Sequence, residues 1–220
     1  MASITLSTET LEDLDSWNHD LVVLTFFEDE RPLKGLNGLA DWRYRGKLSQ
    51  FLMDESFKGR MGEKLLTNSD TYLTARRVLI YGLGSAEQFD NIAFVRVGED
   101  ILKISRKMKA ESVLMALPGT KGRDPYLLDR MAVIAKQVKS LYKGDVTIMV
   151  DRRENLVELR AKFDLIDREL GRIVKTKGQE AGSQPQRVVK SSGASPGHGP
   201  QKKQAVVQNV SSQAKKGGNR

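Results

Sequence analysis

Short apolar runs bounded by turn residues alternate along this chain with segments whose apolar positions step by three and four. Leu21-Val22-Val23-Leu24-Thr25-Phe26-Phe27 and Val78-Leu79-Ile80-Tyr81 are too short for helices and rich in β-branched and aromatic side chains. Such runs predict strands buried on both faces of a sheet. Lys64–Thr67, Ser112–Leu117 and Val146–Val150 predict three more strands. Between them, Leu36, Ala40, Tyr44, Leu48, Phe51 and Leu52 form one helical stripe. Phe94, Val97, Ile101, Ile104 and Met108 form a second, with Asp90 as its N-cap, and Leu128, Met131, Ile134, Val138 and Leu141 a third. Asp124-Pro125 predicts the start of that third helix, Asp as cap and Pro at the first helical position, and Gly144 its stop. Gly98, a poor helix former inside the second stripe, predicts close packing against the sheet. Strands alternating with helices predict a mostly parallel sheet covered on both faces, a three-layer α/β/α domain over residues 1–150.

The pattern changes after Val150. Leu156, Leu159, Phe163, Ile166, Leu170 and Ile173 step by three and four as a heptad seam, predicting a helix from Asp151 to Lys175. A seam of about two and a half repeats is short for a coiled coil, so packing on the protein's own sheet is the simpler expectation. Dimerisation, or docking of a protein partner on that helix, is the sharper one. From Thr176 to Arg220, Gly, Ser, Gln, Pro and Lys dominate and aromatic residues are absent, a composition that predicts disorder. This segment carries eight Lys or Arg against Glu180 alone, so most of the chain's net charge of +8 belongs to it. Dispersed cations of this kind are expected to give weak, salt-sensitive association with nucleic acid.

Two glycine-bearing stretches carry a likeness. Phe57-Lys58-Gly59-Arg60-Met61-Gly62-Glu63 precedes a strand, and Leu73-Thr74-Ala75-Arg76-Arg77-Val78-Leu79-Ile80-Tyr81-Gly82-Leu83-Gly84 is an arginine-led apolar strand closed by Gly-Leu-Gly. In order and spacing they resemble the N-terminal domain of the leucyl (cytosol) aminopeptidase family, the resemblance running from about Leu21 to Val150. It implies a fold of the macro-domain type. It also implies that catalysis in the family belongs to a separate C-terminal domain with two metal ions and an Asn-Thr-Asp-Ala-Glu-Gly-Arg segment. That segment is not among these 220 residues, so a non-catalytic scaffold or binding role is expected, or that of an accessory partner to a full-length metallo-aminopeptidase. Some bacterial members of the family also bind DNA, which adds to the expectation for the basic tail.

Candidate chemistry beyond this is sparse. The chain has no cysteine, which excludes disulfides and thiolate catalysis and suits a reducing compartment. Its two histidines, His19 and His198, have no partners at metal-ligand spacing, so neither metal nor cofactor is expected. The N-terminus lacks the pattern of a signal peptide, and no apolar run reaches the roughly 20 residues of a membrane span, which predicts a cytoplasmic protein. Ligands of open α/β sheets bind beyond the carboxyl ends of the strands. Two loops are placed there: Gly82, Gly84 and Ser85, with free peptide N–H groups expected after the strand, and Gly119, Lys121, Gly122 and Arg123, with two cations before a helix. Both are candidate anion sites. Trp42, Tyr44, Phe26 and Phe27 are expected in the core.

Overall fold

The computed structural model describes residues 2–16, 18–69, 72–120, 124–151, 157, 159 and 174–176. Seven strands form one sheet: β1 (Ser3–Thr8), β2 (Leu21–Phe27), β3 (Lys64–Asn68), β4 (Arg77–Gly84), β5 (Ser112–Ala116), β6 (Asp145–Val150) and β7 (Val174–Thr176). Their spatial order is β3-β4-β2-β5-β6-β1-β7. β3 runs antiparallel to β4, and every other pairing is parallel.

The helices divide between the two faces. α4 (Asn91–Lys107) and α5 (Leu127–Leu141) cover one, through Phe94, Val97, Ile101, Met131, Ile134 and Val138. α1 (Leu11–Ser16), α2 (Gly35–Arg43) and α3 (Lys47–Met53) cover the other, through Leu14, Leu36, Ala40 and Leu48. The period of two in β2 and β4 feeds both layers. Leu21, Val23, Leu79, Tyr81 and Leu83 point to α4 and α5, while Val22, Leu24, Val78 and Ile80 point to the opposite layer. The architecture is the three-layer α/β/α arrangement that the alternation predicts.

The differences have local causes. β1 escapes the hydrophobic pattern because Ile4 and Leu6 alone supply its apolar face, with Ser3 and Ser7 buried behind them. The single stripe from Leu36 to Leu52 is broken into α2 and α3 by a left-handed turn at Arg45 (φ 55°) and Gly46 (φ 78°). Asp90 caps α4 as expected, its side chain accepting the N–H of Ala93 at 2.7 Å. Asp124-Pro125 does not open α5, which begins at Leu127. Asp124 instead accepts the N–H of Tyr126 at 2.8 Å and pairs with Arg130 at 2.8 Å. Gly98 is packed closely, but against α5 rather than the sheet, since a Cβ there would stand 2.7 Å from Ile134 Cδ1.

Tyr44, Phe26 and Phe27 are in the core, whereas Trp42 is 64% exposed. Of the seam residues, Leu159 is fully buried in the core. Leu156, Phe163, Ile166, Leu170 and Ile173 lie outside the described residues. The expected helix does not run to Lys175: Val174 and Lys175 belong to β7, which pairs with Ile4 and Thr5 of β1. The segment expected to be disordered lies outside the described residues from Lys177 on.

Candidate functional site

The carboxyl ends of β1, β2, β4, β5 and β6 surround a cleft of about 340 Å³. Phe27, Leu83 and Leu117 give it an apolar floor, and Glu9, Lys34, Asn37 and Asp151 its polar wall. Parallel strands place their carboxyl ends at one edge of the sheet, so residues at or just beyond those ends line the cleft. Thr8 pairs with Val150, which brings Glu9 and Asp151 to adjacent strand ends.

Glu9 is the most perturbed acid of the cleft. Burial, with a smaller contribution from the Asp151 charge, raises its carboxyl to about 7, and the N–H of Leu36 works in the opposite direction. That N–H, in the first turn of α2, donates to Glu9 Oε2 at 2.9 Å. Lys34, the residue at the α2 N-cap position, supplies no capping side chain. Glu9 therefore caps α2 from a distance, placing a carboxylate where the helix dipole favours negative charge. On the facing wall Asn37 Nδ2 donates to Thr25 O at 2.7 Å, and Thr120 Oγ1 to Leu117 O at 2.7 Å.

The two glycine loops border this end of the sheet, and both Leu83 and Gly119 line the cleft. The first loop differs from the expectation of free N–H groups. Gly82 N donates to Glu63 O at 2.8 Å and Gly84 N to Gly59 O at 2.8 Å, because the Gly59–Glu63 connector crosses over them. Ser85 Oγ donates to Asp29 at 3.1 Å, and Ala86 N to the same carboxylate at 3.0 Å. Glu63 Oε2 in turn accepts the N–H groups of Lys58, Gly59 and Arg60 at 3.0, 2.9 and 3.0 Å. Glu9, Asp29 and Glu63 thus fill backbone donor sites with the protein's own carboxylates.

In the second loop, Gly119 (φ 68°) is needed for space, since a Cβ would stand 2.5 Å from the Phe89 ring. Lys121, Gly122 and Arg123 lie outside the described residues. Sequence reasoning missed Glu9, Asn37 and Asp151. The available signal was a carboxylate immediately after a strand, visible in Val150-Asp151 but hidden at Glu9 because β1 itself was not recognised. Among the described residues no cluster of His, Cys, Asp and Glu is arranged to hold a metal ion. No helix among them is long and apolar enough to cross a membrane.

Sheet order, layers and a cleft at the strand ends define an α/β domain of the macrodomain type. An Oceanobacillus iheyensis macrodomain mutant superposes with a TM-score of 0.57 at 13% identity, over 76% of this chain and 92% of that one. A mutant of tomato leucine aminopeptidase gives 0.54 at 17% identity, over 76% of this chain and 36% of the other. The sequence profile of the cytosol aminopeptidase family N-terminal domain matches residues 22–146, more than half of the chain. The chain belongs to the cytosol aminopeptidase family through that domain. A Cyanothece sp. protein described as "Probable cytosol aminopeptidase" is 30% identical over 115 residues, 52% of this chain and 23% of the relative. A Synechocystis sp. protein of the same description is 29% identical over 98 residues, 44% of this chain and 19% of the relative. The chain thus spans about a fifth of the length of these relatives.

Proposed function

We propose that this chain is a non-catalytic protein-binding module of the cytoplasm, built on the aminopeptidase N-terminal domain. The observation that carries the reading is Trp42. It stands 64% exposed on α2, beside a depression of about 480 Å³ shared with Pro32, Leu33 and Arg45. A large aromatic side chain held in the open by a rigid helix is the kind of anchor that dominates protein interfaces. The Arg43 guanidinium lies 4.9 Å from its ring centre and is ion-paired with Asp15, so the indole is held in place before any partner arrives. The cleft supports the same reading from the other side, because its Glu9 carboxylate is engaged in capping α2.

Family membership favours one partner class, a full-length metallo-aminopeptidase that this domain would accompany. Trp42→Ala is expected to leave thermal unfolding within about 0.5 kcal/mol of the parent, as for an exposed side chain. It should also weaken a cross-linked complex with that enzyme at least tenfold. The purified chain should release no product from leucyl-p-nitroanilide with zinc or manganese present. Turnover under those conditions overturns the non-catalytic reading, and a complex indifferent to Trp42 overturns the surface.

A further inference from the structure

β3 is an edge strand, and no strand among the described residues pairs with its outer side. The hydrogen bonds at its two ends fix which residues face outward. Gly82 N donates to Glu63 O at 2.8 Å and Ser69 N to Arg76 O at 3.4 Å, so Glu63 and Ser69 face β4. Alternation then turns the backbone N–H and C=O groups of Lys64, Leu66 and Asn68 away from the sheet.

Edges of this kind are commonly guarded by a lysine reaching into solvent. Here the guard is folded back. Lys64 Nζ pairs with Asp100 of α4 at 2.7 Å and lies 5.3 Å from the Tyr81 ring centre. Leu66, at the middle of the strand, is 51% exposed instead. It stands on the same face as Lys64 and Tyr81, where Met61 and Ile92, 51% and 62% exposed, border a depression beside α4.

We infer that β3 is a dimerisation edge, and that its occupant is β3 of a second copy of this chain in antiparallel register about a two-fold axis through Leu66. The five-residue strand is self-complementary in that register. Leu66 meets Leu66 of the second copy, and Lys64 meets Asn68, so no like charges stand opposite one another. The Asn68 carbonyl already accepts the Tyr44 hydroxyl at 2.8 Å. The outward residues of the two copies therefore exchange about four unshared backbone hydrogen bonds, two between the Leu66 residues and two from Asn68 N–H to Lys64 O, in the closely spaced pairing geometry. The axis makes the contact isologous and closed, so the sheet doubles once and stops. Apolar side chains that are solvated in one copy, Leu66 foremost, are covered in two. This surface lies on the opposite side of the sheet from Trp42, so it stands or falls separately from the proposed partner site.

Sedimentation of the full chain from micromolar to submillimolar concentration is expected to show a particle of twice the chain mass. Leu66→Lys and Leu66→Glu each place like charges across the axis and should halve that mass, with unfolding temperatures matching that of the parent diluted to the monomer. Mixed in equal amounts, the two variants should restore the dimer as a heterodimer. A parent monomeric throughout the range overturns the inference, as does a dimer that persists in both variants.

Discussion

Glu9→Gln is expected to stabilise the protein at pH 8 by about 3 kcal/mol while leaving it nearly unchanged at pH 4. The carboxyl of Glu9 is raised from 4.5 to about 7, chiefly by burial and then by the Asp151 charge. A folded-state value above the unfolded one means that the native protein holds a proton the unfolded chain has lost. Between about pH 4.5 and 7 stability therefore falls as pH rises, by roughly 1.4 kcal/mol per unit for one group. Glutamine retains an oxygen to accept the Leu36 N–H and removes the buried charge facing Asp151. The gain of the variant over the parent should thus grow from about pH 4.5 and level off above 7. Denaturant unfolding of both proteins across this range checks it, and a constant difference would show that Glu9 titrates normally.

His19 runs the other way, at the opposite end of β2. It is 5% exposed, and burial lowers its imidazole to about 4 despite the nearby Asp20 and Asp145 carboxylates. Below its unfolded value near 6.5 the unfolded chain gains a proton that the native state refuses, so stability falls as pH drops from 6.5 to 4. Between about pH 4.5 and 6.5 the slopes of Glu9 and His19 have opposite signs and largely cancel. The parent is expected to be nearly flat there as far as these two groups decide it. Glu9→Gln should expose the rising His19 slope, and His19→Gln the falling Glu9 slope.

The layers of this fold were legible because strands buried on both faces leave continuous apolar runs, and helices against a sheet leave stripes. β2, β4, β6 and α4 announce themselves in this way. What stayed hidden was decided by partners distant in sequence. β1 has two large apolar residues and becomes a strand because β6 and β7 flank it. Glu9 acquires its role from α2, 27 residues away, and from Asp151 across the β1–β6 pair. The glycine loops show the same limit from the other direction. Gly82 and Gly84 signal correctly that a backbone must come close, but the pattern cannot say whether a ligand or the chain itself makes the approach.

In the first loop the chain makes it, and Gly82→Ala should accordingly be the most damaging single-methyl change in the domain. A Cβ at Gly82 would overlap Arg60 O and stand 2.7 Å from the Gly59 carbonyl carbon. Both obstacles are backbone, so neither can rotate away as a side-chain tip would. The same peptide N–H donates to Glu63 O, and the Gly82 carbonyl accepts from Gly62 N at 2.9 Å. Moving the connector aside would break those bonds together with the Glu63 carboxylate's hold on Lys58, Gly59 and Arg60. Overpacking alone costs about 1–3 kcal/mol, and each broken hydrogen bond to a charged group adds about 1.5–3 kcal/mol. The total rivals the whole stability of a domain this size. The variant is expected in the insoluble fraction, or soluble with its cooperative unfolding transition lost. Gly62→Ala separates this crowding from simple backbone strain. Gly62 has the positive φ (77°) that Gly82 does not, and has nothing within 4 Å of its would-be Cβ. It should lose only about 1–2 kcal/mol, the cost of the left-handed conformation. Equal losses at the two positions would mean that the connector yields and that Gly82 is not pinned by the crossing.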